Sequence, residues 1–141
     1  MPVCTFFGHR DCPETIRPAI VSAVEALIVE KKVDTFYVGS QGRFDACVRG
    51  VLRQLREKYP HVDYAVVLPR LPSPGRAGES LEDTVFPEAL EGVHPRYALD
   101  RRNRWMVSRA DYVVCYVRHT WGGAWRYTQL AQKQKKTVIR L

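Results

Sequence analysis

Short apolar runs alternate with amphipathic helical stripes along the whole chain, and this alternation constrains the fold more than any other feature of the sequence. Val3–Phe7, Thr35–Val38, Val62–Leu68, Tyr112–Val117 and Thr137–Leu141 read as five short strands rich in β-branched and aromatic residues. Between them lie stretches with apolar residues at helical spacing. From Thr15 onward these are Ile16, Ala19, Ile20, Ala23, Val24, Leu27 and Ile28, with Thr15 as a candidate cap and Pro18 where no intrahelical N–H is needed. Phe44, Cys47, Val48, Val51, Leu52 and Leu55 mark the second helix, ended by Pro60; Tyr97–Arg109 is the third, and a stretch from about Gly123 to Lys135 the fourth. Strand and helix in strict alternation call for a parallel sheet with helices on both faces and right-handed crossovers. The expected fold is therefore α/β: a Rossmann-like three-layer sandwich on a parallel five-stranded sheet of order 3-2-1-4-5, forming a single domain over residues 1–141.

In the remaining sequence, Pro69–Gly78, with three prolines and two glycines, reads as loop. Residues 79–96 carry a weak pattern around Leu81, Val85, Phe86 and Leu90 that suggests one short helix under a mobile lid. The four cysteines (Cys4, Cys12, Cys47, Cys115) form no C-x-x-C pair, which argues for a reducing, cytoplasmic setting and against a metal site of the zinc type. No apolar stretch approaches the roughly 18 residues of a membrane span, and no basic segment followed by an apolar run opens the chain. A soluble, unexported protein without a membrane partner is expected.

The formal charge of +7 favours phosphate-bearing partners without separating nucleotide from nucleic acid. Arg96, Arg101, Arg102, Arg104 and Arg109 concentrate part of it in one segment, while Lys133, Lys135 and Lys136 suit the C-terminal end of the last helix.

In an open α/β sheet, ligands settle beyond the carboxyl ends of the strands, where helix N-termini attract anions. Three strand ends here carry polar, glycine-bearing turns: Gly8-His9-Arg10, Gly39-Ser40-Gln41-Gly42 and Thr120-Trp121-Gly122-Gly123. With strand order 3-2-1-4-5, the first and third of these flank one crevice and the second lies beside it. None matches the G-x-G-x-x-G dinucleotide fingerprint or the G-x-x-x-x-G-K-[ST] phosphate loop, which disfavours an ordinary dehydrogenase or nucleoside triphosphatase.

Four segments, Phe6-Phe7-Gly8-His9-Arg10, Val38 through Asp45, Arg102-Asn103-Arg104-Trp105-Met106-Val107 and Gly122-Gly123-Ala124, together resemble the YpsA-like branch of the SLOG superfamily, and the similarity runs over nearly the whole chain. The resemblance implies a Rossmann-like protein related to the Lonely Guy cytokinin-activating enzymes and to DNA-processing protein A, binding or processing nucleotides or nucleotide-derived ligands (NAD-derived or ADP-ribose-like molecules included), and a homo-oligomer. The enzyme branch carries the loop P-G-G-x-G-T-x-x-E. Alignment on Gly122 and Gly123 puts Trp121 at its proline, Trp125 at its third glycine, Arg126 at its threonine and Gln129 at its glutamate. The glycine pair survives, but an uncharged Gln129 is no base, so the resemblance implies phosphate binding more than N-glycosidic hydrolysis.

Individual side chains then divide by role. Arg10 suits a phosphate fork, or else a salt bridge with Asp11 or Asp45. Asp45 either complements a helix dipole or, as the resemblance implies, faces the pocket. His9 can shuttle a proton or merely hydrogen-bond, and a structural or ligand-orienting histidine is the preferred reading. His9, Asp45 and Asp111 are the acid-base candidates if the protein is an enzyme. Arg104 could reach over the crevice, whereas Trp105, Met106 and Val107 fit core packing. Trp121 and Trp125 could stack on a base or form an apolar lid or dimer contact. His119 and Thr120 are candidates for bonds to ribose or phosphate, and His61 and His94 read as surface residues. A nucleotide-binding or sensing protein is the leading expectation, a nucleotide N-glycosidic hydrolase the second, and single-stranded nucleic-acid binding through Arg101, Arg102, Arg104 and Arg109 the third.

Overall fold

The computed structural model describes residues 2–71 and 83–141. Its strands are β1 (Val3–Gly8), β2 (Thr35–Val38), β3 (Asp63–Val67), β4 (Thr84–Val85), β5 (Tyr112–Tyr116) and β6 (Thr137–Arg140). Its helices are α1 (Arg17–Glu30), α2 (Gly42–Lys58), α3 (Pro95–Arg109) and α4 (Gly123–Lys133). The strands form one sheet of order β4-β3-β2-β1-β5-β6 in which every pairing is parallel. The expected order appears as β3-β2-β1-β5-β6, with one strand more than the five read from the sequence. β4 joins the β3 edge, where Val66 N–H donates to Asp83 O at 2.7 Å and Leu68 N–H to Val85 O at 2.9 Å. Two residues are too few to show alternation, which is why this strand is not legible as periodicity. The expected helix of residues 79–96 is in fact β4 followed by a single 3₁₀ turn at Glu88–Leu90; Leu81 and the glycine-proline stretch 72–78 lie outside the described residues.

Side chains alternate across β1 and divide the interior in two. Cys4 and Phe6 point to the layer of α1 and α2, where Phe6 packs on Phe36 at 6.1 Å between ring centres and Ile20, Val24, Phe44, Val51 and Leu52 close the core. Phe7 points to the layer of α3 and α4 and packs on Tyr127 at 5.4 Å, among Met106, Val107 and Val113. Burying each such side chain contributes about 1.5–3 kcal/mol, so truncating Phe6 to Ala should cost about 3–5 kcal/mol. Cys4, Cys12 and Cys115 are free and buried, and burial pushes their thiols up, so they act as small hydrophobes.

Two helix starts differ from expectation. Thr15 falls inside a 3₁₀ turn at Glu14–Ile16 and does not cap α1, whose N-cap is Ile16 with Pro18 in the first turn. α3 begins at Pro95 because His94 Nδ1 accepts Arg96 N–H at 3.1 Å, giving a capping role to a histidine that reads in the sequence as plain surface. Among the described residues no helix is long and apolar enough to cross a membrane.

Candidate functional site

β1 lies at the centre of the sheet. The chain leaves it toward β2 and β3 and returns on its other side as β5, which opens a crevice beyond the carboxyl ends of β1, β2 and β5. A cavity of about 680 Å³ fills that crevice. All three glycine-bearing turns reach it: Gly8, His9 and Arg10 after β1, Gly39 and Gln41 after β2, and Trp121, Gly122 and Gly123 after β5.

The glycines serve different purposes. A Cβ on Gly8 would lie 2.2 Å from the Phe44 ring, so its absence lets the first turn sit on the core and is not a matter of ligand approach. A Cβ on Gly39 would lie 2.5 Å from an Asp45 carboxylate oxygen. Gly42, at φ 81°, receives the stem of Arg10, whose Cα and Cγ would lie 2.9 and 2.7 Å from an added Cβ. Gly122, at φ 87°, and Gly123 face open space, with no neighbour closer than 3.9 Å to an added Cβ. Only the last pair leaves room for something to approach the backbone.

Helix starts follow the same division. At α2 the N–H of Arg43 donates to Arg10 O at 3.1 Å and that of Gln41 to Asp45 Oδ2 at 3.0 Å, so the protein answers its own donors. At α4 no side chain caps the helix, and its first N–H groups open beside Gly122 and Gly123 with the positive end of the helix dipole behind them. Arg10 and Arg126 line the same cavity. Among the described residues Arg10 forms no direct ion pair with Asp11 or Asp45, so the salt-bridge alternative for its guanidinium is not realised.

His9 is held in one role. Its Nε2 accepts the Arg118 backbone N–H at 2.8 Å, which requires a neutral ring with the proton on Nδ1. Burial, the His119 ring and the Arg118 charge lower its pKa against the opposing pull of Asp11. The ring stacks on His119 at 3.7 Å, and His119 stacks on Trp121 at 3.8 Å, with His119 Nδ1 2.9 Å from the Trp121 carbonyl oxygen. Three parallel rings thus form one wall, and Trp121, 67% exposed, stands at its outer end.

The floor holds two charged side chains that are almost wholly buried, Asp45 at 9% exposure and Arg102 at 2%. Arg102 donates from Nη1 to Val67 O at 3.0 Å and from Nε to Asn103 Oδ1 at 2.8 Å. Burial lowers its pKa, with Asp45 offsetting part of the loss. Burial likewise raises the Asp45 carboxyl above the ordinary range, against the Gln41 N–H and the Arg102, Arg49 and Arg10 charges. On the far wall, Tyr127 donates its hydroxyl to Asp100 Oδ1 at 2.5 Å, and Arg104 Nε holds Asp100 Oδ2 at 3.0 Å. Burial acts to raise the Asp100 carboxyl, but these two donors outweigh it and bring it below the usual carboxylate range. Burial and the Asp100 charge push the Tyr127 hydroxyl up.

Several of the residues singled out in the sequence do not line the cavity. Asp111 lies at the amino end of β5, where its Oδ2 accepts Val3 N–H at 2.9 Å, at the opposite pole of the sheet from the crevice. Arg104 is tied to Asp100 one helical turn away and does not reach over the opening. Thr120 is exposed at the turn, Ser40 and Gly42 sit behind Gln41, and Trp125 is half-buried outside the cavity. Trp105 packs with Tyr37 and under Arg109, as core packing requires. The arginines read as one cluster are therefore dispersed: Arg102 is buried, Arg104 is paired and Arg109 covers a ring.

The sequence reading missed Arg102 as part of the floor, and the signal was present. Ala98, Arg102 and Met106 recur at i, i+4, i+8, so this arginine falls on the buried stripe of α3. Asp100, Asn103, Arg126 and Tyr127 also line the cavity, brought together from two helices with no local signature. Among the described residues no three His, Cys, Asp or Glu side chains gather as a metal site would require.

Solved structures show the same arrangement of strands and helices. DNA processing protein A from Streptococcus pneumoniae superposes with a TM-score of 0.72 at 14% identity over 99% of this chain and 50% of that one. DNA processing protein A from Helicobacter pylori, described for its single-stranded DNA binding mode, gives a TM-score of 0.64 at 15% identity over 99% of this chain and 64% of that one. The chain has their Rossmann-like fold. The molybdenum cofactor carrier protein of Chlamydomonas reinhardtii shares it at a TM-score of 0.60 and 15% identity, over 99% of this chain and 76% of that one. The chain spans about half the length of the first of these proteins and 64% of the second. No family model matches the sequence, and no curated protein matches it.

Proposed function

We propose that this chain is a SLOG-type protein of the YpsA-like branch that binds a small phosphate-bearing, nucleotide-derived ligand in the crevice beyond β1, β2 and β5. The observation that carries this reading is the uncapped start of α4, where Gly122 and Gly123 leave the backbone open within the cavity that also holds Arg10 and Arg126. Unanswered N–H groups at a helix N-terminus, next to guanidinium groups and a glycine that admits close approach, suit a phosphate. The His9–His119–Trp121 stack beside them offers a flat face to an aromatic ring, an interaction worth about 1–3 kcal/mol. Binding is preferred to hydrolysis because His9 Nε2 is committed to Arg118, Asp111 lies at the far pole and Gln129 is uncharged, which leaves Asp45 as the one acid-base candidate in place.

The test is thermal denaturation with AMP, NAD and ADP-ribose. A ligand at 100 times its Kd should stabilise the fold by about 2.7 kcal/mol, with saturation. No shift at millimolar concentration of any of the three would sink the reading. A second reading, binding of single-stranded DNA, is favoured by the fold shared with DNA processing protein A and by the net charge of +7. Against it stands the dispersal of the α3 arginines. It predicts oligonucleotide binding that weakens steeply with salt, and a complex persisting at physiological salt would put it first.

A further inference from the structure

The floor of the crevice poses a problem that its own residues do not solve. Asp45 and Arg102 are both at least nine-tenths buried and both line the cavity, yet among the described residues no direct ion pair joins them. Asp45 uses one oxygen on the Gln41 N–H, and Arg102 uses Nε and Nη1 on Asn103 and Val67. No hydrogen bond among the described residues uses the second carboxylate oxygen or Nη2 of the guanidinium, and neither atom is sealed from the cavity that both residues line, since the buried side-chain atom without a partner among the described residues is Thr128 Oγ1. Buried charges ordinarily close on each other or on a ligand. Gly39 lies against both: a Cβ there would come within 2.5 Å of Asp45 Oδ2, the oxygen that the Gln41 N–H already uses, and 3.4 Å of Arg102 Cζ, so the glycine lets the two side chains come up to the same stretch of backbone.

We propose that Asp45 and Arg102 form a hydroxyl-reading subsite that takes the ribose diol of the bound nucleotide. The inference rests on the nucleotide reading above. A vicinal diol donates from one hydroxyl and accepts at the other, and so can satisfy a carboxylate and a guanidinium at once. The base edge of a purine has the same donor-acceptor chemistry, but the flat wall ending at exposed Trp121 lies at the rim, whereas Asp45 and Arg102 lie at the floor. The sugar, linking base to phosphate, reaches inward. Burial lowers the Arg102 pKa and raises that of Asp45, so both charged forms gain from such a partner. The consequence is selectivity for ribonucleotides over deoxyribonucleotides, since a site built around a hydroxyl is left with unpaired groups when the hydroxyl is missing.

Isothermal titration of the full chain with AMP, 2'-deoxy-AMP and IMP tests this. The wild-type protein should bind AMP at least about tenfold more tightly than 2'-deoxy-AMP, and Asp45→Asn, which keeps an acceptor for Gln41 N–H, should bring that ratio to within about threefold. Equal affinity of the wild type for AMP and 2'-deoxy-AMP overturns the subsite and leaves the nucleotide reading standing. Discrimination that survives Asp45→Asn overturns it too, as does a variant that changes the AMP to IMP ratio instead, which would give the floor to the base. If none of the three binds, the subsite fails, and the nucleotide reading falls with it when NAD and ADP-ribose give no thermal shift either. The wild-type ratio carries the test even if the variant does not fold.

Discussion

α2 and α4 begin at the same edge of the sheet, after the two strands that flank β1 and with glycine in both turns, yet their N-termini are opposites. α2 is closed by the protein: the Arg10 carbonyl accepts from Arg43, Asp45 accepts from Gln41, and the stem of Arg10 fills the space over Gly42. Neither helix has a side-chain cap, but at α4 no carbonyl takes the first N–H groups among the described residues, and a Cβ on Gly122 or Gly123 would meet nothing closer than 3.9 Å. A glycine in a strand-to-helix turn therefore means two different things within one crevice. At Gly8, Gly39 and Gly42 it admits another part of the protein; at Gly122 and Gly123 the space over the backbone is not taken up by the protein among the described residues.

One substitution applied on both sides breaks or sharpens this contrast. Gly8→Ala would drive a methyl group into the Phe44 ring, and overpacking of this kind costs about 1–3 kcal/mol or more; chemical denaturation should show it as the largest loss in the series. Gly123→Ala, at the first position of α4 where a Cβ would make only an ordinary contact with Tyr127 at 3.9 Å, should change stability by less than about 0.5 kcal/mol while weakening AMP binding about tenfold or more. If the stability effects came out in the reverse order, the division between closed and open turns would be wrong.

Arg10 sharpens the comparison from the ligand side. Its stem belongs to the α2 turn and its guanidinium to the cavity, so Arg10→Met, which keeps the stem, should leave the melting temperature nearly unchanged and reduce AMP affinity about tenfold.

The pH dependence separates the two walls. His9 has a pKa lowered on folding, so the stability it contributes is complete above the unfolded value near 6.5 and is lost as pH falls through the lower folded value. Asp45 behaves oppositely. Its folded pKa is raised, so the contribution of its protonated form is present below the ordinary carboxylate value and is lost as pH rises through the folded one. Melting curves of the wild type should thus decline below about pH 6.5 in a way that His9→Gln removes, and Asp45→Asn should flatten the slope on the carboxylate side. The smallest effect belongs to Trp121→Ala: with the ring 67% exposed, stability should barely move, and the loss should appear in the affinity for AMP relative to ribose 5-phosphate.

Strand order and the convergence of the three turns were legible because both follow from alternation: parallel strands with crossover helices leave one switch point, and the loops after the central strands must meet there. β4 was not, since two residues joined to an edge carry no period. Asp111 was misplaced although its pole was legible, because it precedes Tyr112–Val117 and in a parallel sheet the residue before a strand lies at the amino end, away from the crevice. Arg102 shows a different limit. Charge drew it toward a surface cluster, while its spacing with Ala98 and Met106 placed it in the interior, and the spacing prevailed. The pairing of Asp100 with Tyr127 joins α3 to α4 and could be seen only once the helices were packed.

The clamp between Arg10 and the start of α2 also sets how the crevice would meet a ligand. With its main chain bonded to Arg43 and its Cβ and Cγ against Gly42, Arg10 has the base of its side chain fixed during folding, while its exposed guanidinium stays free to turn. Part of the entropy of fixing that side chain is then not charged to association, the remainder falls on the guanidinium arm alone, and capture would proceed without a slow rearrangement of the turn.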